Sequence, residues 1–177
     1  MNFTKRIPNL DQVARVYAVM VMMIYPWSIA SFFWRLPSWL YFSSIGEILV
    51  IFAYTMVVNL IESLLILLAI LFLSLVFPQK WFADRFVPKG TLLVLFGLGY
   101  LMYFNNHLQY QTPFPVELMN WTPVIVVAIL GLVFVIDRFR FLDKILDELT
   151  NRLLIFLYIL IPVSVLSLLV VLIRNLV

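Results

Sequence analysis

Residues Ile48–Phe77 read ILVIFAYTMVVNLIESLLILLAILFLSLVF: thirty residues with no glycine, no proline and one charged side chain, Glu62. At ~1.5 Å per residue this run makes about 45 Å of helix, against roughly 30 Å of bilayer hydrocarbon. A helix on the surface of a soluble domain shows a polar residue every third or fourth position, and this stretch does not. It reads as a transmembrane helix that must tilt or protrude.

The rest of the chain repeats the pattern. Its 177 residues are 64% apolar and only 12% charged, more apolar surface than one soluble core of that size buries. The mean hydropathy is +1.07. A polar, basic stretch from Met1 to Arg15 precedes an apolar block at Val16 to Trp34. Ser28-Ile29-Ala30 resembles a signal-peptide cleavage site, but the aromatic-rich block runs through it, so a retained span is expected. Thr91 to Phe104 is short, and reaches full length only by drawing in Val87 to Gly90 or Asn105 to Tyr110. Thr122-Pro123 looks like a helix N-cap followed by proline at the first helical position, opening a block that ends at Ile136. Leu153 to Ile173 crosses alone, with Pro162 near its middle. The expected architecture is an all-α membrane bundle in one domain spanning residues 1–177. Its spans lie at about 13–34, 47–77, 89–107, 123–137 and 152–174, with an amphipathic inner-face helix at about 137–150.

Charge sets the expected orientation. With five crossings and the N-terminus inside, the inner segments hold Lys5, Arg6, Arg15, Lys80, Arg85, Lys89, Arg138, Arg140, Lys144 and Arg152, whereas the outer segments hold only Arg35 and Arg174. That asymmetry follows the positive-inside rule and places the C-terminus outside. If the third block failed to cross, the stretch Asn105 to Trp121, without Lys or Arg, would become an inner loop. In a bacterium the membrane is the cytoplasmic (inner) one. The net charge of +3 comes from these flanking residues, so no nucleic acid partner is expected.

Within the spans, Thr55, Asn59 and Glu62 fall on one helical face, within an arc of roughly 60°. A carboxylate at the bilayer centre must be protonated, hydrogen-bonded, paired or wetted. Tyr25, Ser28, Tyr100 and Ser164 lie at comparable depth, and Pro26 and Pro162 free the carbonyls of Met22 and Tyr158. The candidate intramembrane polar site is therefore Thr55, Asn59, Glu62, Tyr25 and Ser164. Its plainest role is hydrogen-bonded glue between helices. Gly97 and Gly99 are expected to let a neighbouring helix approach the third span.

Two inner segments offer contact surfaces. The loop from Pro78 to Gly90 alternates aromatic and basic residues, among them Trp81, Phe82 and Arg85, as a headgroup-level anchor does. Asp137 to Asn151 places Phe139, Leu142 and Leu146 at helical spacing, with Arg140, Asp143, Lys144, Asp147 and Glu148 on other faces; Lys144 is spaced to pair with Asp147 and Glu148. The segment reads as an in-plane interfacial helix or an extension of the fourth span.

Other chemistries find little support. No cysteine is present, which removes thiolate catalysis and thiolate metal sites. His107 and Glu117, ten residues apart with no second histidine, fall short of a metal ligand set. Asn120-Trp121-Thr122 matches a glycosylation sequon weakened by Pro123. No phosphate-binding loop, repeat or paired catalytic carboxylates occur, and no cofactor is expected. The sequence expectation is a noncatalytic accessory or structural component of a membrane assembly, bound by lipid and by a membrane-protein partner or a second copy. The alternative is a proton- or cation-coupled carrier or channel using Asn59 and Glu62.

Overall fold

The computed structural model describes residues 8–78, 82–110, 116–135 and 138–176. It contains, among the described residues, five long helices: α1 (Leu10–Phe42), α2 (Ile45–Val76), α3 (Phe86–Tyr110), α4 (Val116–Val135) and α5 (Arg140–Leu176), with a 3-10 turn at Ala83–Arg85 before α3. All five are long and apolar enough to cross a membrane. Trp81 and Asp137 lie outside the described residues.

All five helices begin before the expected spans, and proline does not stop them. α1 continues through Pro26 and Pro37 to Phe42, leaving only Ser43 and Ser44 before α2. Ser44 then caps α2: the Glu47 carboxylate accepts from the Ser44 backbone N–H at 2.7 Å, and Ser44 Oγ accepts from the Glu47 N–H. α3 recruits both of its candidate extensions. α4 starts at Val116, so Thr122-Pro123 is not its beginning, and Pro123 sits inside the helix. Instead of capping, Thr122 Oγ1 donates to the Leu118 carbonyl at 2.9 Å and meets the Tyr100 hydroxyl at 2.6 Å; side-chain bonds of this kind help a membrane helix tolerate proline. Nor is the amphipathic segment a separate in-plane helix or part of the fourth span. It is the first turns of α5, which contains no glycine and runs unbroken for 37 residues.

α1 is the central element. It packs on α2, α3 and α5; α2 also packs on α5, while α4 rests chiefly on α3. The core runs along α1 through Val16, Met20, Ile24 and Tyr25, joined by Met56 and Ile70 of α2 and by Phe86 and Val94 of α3. Gly90 permits the close α1–α3 contact, since a Cβ there would lie 3.1 and 3.2 Å from the Val16 methyl carbons. Gly97 and Gly99, expected to serve this purpose, have no such neighbour within 4 Å. Polar clips tie the helices together at several depths: Tyr17 to Ser63 at 3.1 Å, Tyr25 to Ser164 at 2.7 Å, and Asn175 to the Tyr54 hydroxyl at 3.0 Å. Such bonds contribute about 0.6 kcal/mol each in membranes, so the apolar packing around α1 carries most of the stability.

Candidate functional site

The five candidate polar residues do not form one cluster. Tyr25 and Ser164 meet each other, fully buried, on the α5 side of α1, and Ser164 also donates to the Leu160 carbonyl. Asn59 is buried against α1, where its Oδ1 accepts from Ser28 Oγ at 2.7 Å; its Nδ2 is buried without an acceptor among the described residues. Thr55 satisfies its hydroxyl on the Ile51 carbonyl. Glu62 is exposed, and among the described residues it makes no hydrogen bond or ion pair. Tyr100, at similar depth, is taken up by the α3–α4 contact.

Glu62 is nevertheless not on an open helix face. It lines a groove of about 560 Å3 between α2 and α3, whose floor is α1. The floor is one helical stripe, Ile24, Trp27, Ser28, Ser31 and Arg35, at spacings of three and four residues; α2 contributes Thr55 and Glu62, and α3 contributes Leu98, Leu101, Met102 and Asn105. The groove exists because both walls pack on α1 but not closely on one another. Toward Arg15 it is closed where the core tightens at Met20 and Val94, both essentially inaccessible.

Depth follows from the same contacts. Arg15 and Arg35 are twenty residues apart on α1, about 30 Å, which matches the hydrocarbon thickness. The Ser28–Asn59 bond sets the antiparallel register, and Glu62 lies one turn further toward Arg15, level with Ile24 and Tyr25. Glu62 therefore sits midway between the two arginines. The groove rises from it past Ser28, Thr55 and Ser31 to Arg35, roughly 16 Å along α1, and one turn further to Trp39.

A second, smaller cavity of about 390 Å3 occupies the Arg15 end and is lined by Asp11, Arg15, Asp84, Arg85, Asp143 and Asp147 together with the start of α3. Asp143 and Asp147, expected on a solvated helix face with Asp147 spaced to pair with Lys144, instead reach residues outside α5. Asp143 pairs with Arg85 at 3.0 Å, and Asp147 approaches Arg15 at 4.0 Å while Arg15 also holds Asp11 at 2.7 Å. The expected contact surfaces change accordingly. Phe82 is buried edge-on against Phe86, Arg85 is in the ion pair, and Leu146 belongs to the core; Phe139 and Leu142 stay exposed. Of Phe139, Leu142 and Leu146, packing of the first turns of α5 against α1 and α3 consumes only Leu146. His107 is level with its own helix only, on the Tyr103 carbonyl and ring, and no group of three metal-ligating side chains gathers among the described residues.

The groove residues Trp27, Ser31, Arg35 and Asn105 were not singled out as site residues from the sequence. The signal available was the i, i+3/i+4, i+7 stripe of Ser28, Ser31 and Arg35, which gains meaning only once α1 is known to lie beneath Glu62. Comparison of the chain with protein-family models, with curated proteins and with solved structures finds no match.

Proposed function

We propose that this multi-pass membrane protein, with its N-terminus inside and C-terminus outside, takes up a proton or cation at Glu62 through the groove between α2 and α3 and acts as a small carrier or channel and not as an enzyme. The observation that carries this reading is the Glu62 carboxylate, without a partner among the described residues, at the foot of a groove whose upper wall is polar. A charge at that depth is costly and is kept, as a rule, where it binds or conducts. The hydroxyls of Ser28, Ser31 and Thr55 and the amide of Asn105 mark a wettable route from Arg35 down to it. On the other side the route is blocked between Ile24 and Arg15, roughly 14 Å of packed core, beyond which the acidic and basic cavity around Asp143 and Arg85 begins. Passage then requires the α1–α3 contact at Val16 and Gly90 to part, an alternation between outward and inward openings.

The test is flux. Purified protein in liposomes is expected to conduct protons or monovalent cations down an imposed gradient, and Glu62→Gln is expected to abolish the flux while the protein remains folded. Unchanged flux in Glu62→Gln overturns the reading.

The accessory reading retains one observation: Phe139, just before α5, and Phe141 and Ile145 on its first turns are exposed, beside the charged cavity. A membrane-protein partner or a second copy would cover them. Intact-mass measurement after extraction in mild detergent tests this, and a monomer unaffected by Phe139→Ser rules it out.

A further inference from the structure

We propose that the groove between α2 and α3 binds a lipophilic organic monocation, with the cationic centre at Glu62 and the apolar body against Trp27 and the α3 wall. This deepens the proposed function and rests on it. The chemistry of the lining selects the class. A hard metal cation needs a shell of oxygen ligands, yet level with Glu62 the groove presents Ile24, Leu98 and Leu101, and the hydroxyls begin a turn higher. One carboxylate surrounded by aliphatic and aromatic surface is instead the complement of a delocalised or alkylated cation, whose charge is met once and whose hydration is weak. Trp27, about two-fifths exposed, lines the groove within a turn of the level of Glu62 and is the residue type that binds cations best. The volume, about 560 Å3, lies within the range of roughly 300–1,000 Å3 that holds drug-sized ligands.

The shape selects the route. α2 and α3 are not closely packed on each other, so the groove opens sideways along its length. Arg35 stands near its outer end, roughly 16 Å above Glu62 along α1, and opposes a bulky cation arriving whole from water along the axis, whereas a proton is relayed by water on the hydroxyls below it. A cation already dissolved in the bilayer reaches Glu62 between α2 and α3 without passing that guanidinium.

The experiment uses the full chain in lipid nanodiscs and radiolabelled tetraphenylphosphonium, with binding to protein-free nanodiscs subtracted. Saturable binding near one probe per chain is expected. Glu62→Gln is expected to weaken it about tenfold or more, and Trp27→Ala about threefold, in protein whose thermal unfolding shows it folded. Should Glu62→Gln misfold, Trp27→Ala alone carries the test, with binding unchanged by it counting against the site. Saturable binding indifferent to both substitutions overturns the proposal. Absence of saturable binding, in protein that still shows Glu62-dependent proton or sodium flux in liposomes, overturns the ligand class and leaves the proposed function standing; absence of both removes the two together.

Discussion

Replacing Glu62 by leucine is expected to stabilise the protein while removing the proposed cation site. On insertion scales a charged side chain at the centre of a span costs about 2.5–3.5 kcal/mol, and leucine contributes about 0.5 kcal/mol in the favourable sense. The difference, about 3–4 kcal/mol, is the gain for a carboxylate facing hydrocarbon. Glu62 faces a groove with Thr55 and Ser28 above it, and water admitted there removes a good part of that cost; a gain of about 1–2 kcal/mol remains. Tyr25→Phe provides the contrast at the same depth on the opposite side of α1. It deletes a hydroxyl bonded to Ser164 at 2.7 Å and is expected to lose about 0.6 kcal/mol. Both are measured by titrating the protein from bicelles into dodecyl sulfate and following helicity and tryptophan fluorescence. If Glu62→Leu lowers stability by about 1 kcal/mol or more, the carboxylate is held by a structural partner, and the reasoning from its isolation fails.

Three further outcomes follow from the packing. Gly90→Ala is expected to cost about 1–3 kcal/mol in the same titration because its Cβ meets the Val16 methyls, and Gly97→Ala and Gly99→Ala, with open space around them, are expected to leave stability unchanged or slightly raised. Arg85→Asp alone should lower stability, and the exchanged pair Arg85→Asp with Asp143→Arg should recover part of it, because both groups are about a quarter exposed and their coupling is about 1 kcal/mol or somewhat more; no recovery would show that the two do not interact. Leu146→Ser should destabilise the fold by about 2–4 kcal/mol, whereas Phe139→Ser, on an exposed side chain, should be silent for stability and report only on association, as read by intact mass.

Much of the architecture is legible in residue order. Uninterrupted apolar runs such as Ile48–Phe77 can satisfy their backbone in lipid only as helices, so five long apolar helices follow from composition and spacing. The ends are less legible. Thr122-Pro123 carries the chemistry of a helix start, yet the helix begins at Val116, since a bond from Thr122 to Leu118 and the packed Tyr100 hydroxyl outweigh a local signal. Asp143 and Asp147 have the spacing of a solvated face and become partners of Arg85 and Arg15 because α5 begins as early as Arg140 and packs on α1 and α3.

By itself the sequence determined the helical class, the five apolar helices, and the presence of a carboxylate deep in the second one. Periodicity says which residues share a face. It does not say which way the face turns, because spans that are apolar all round leave their rotation to their neighbours. Only the tertiary structure decided that Tyr25 would spend its hydroxyl on Ser164 and Asn59 its carbonyl on Ser28, that Gly90 and not Gly97 would admit a helix, and that α2 and α3 would stand apart over α1. The groove that leaves Glu62 open is a property of three helices at once, and no one of them encodes it alone.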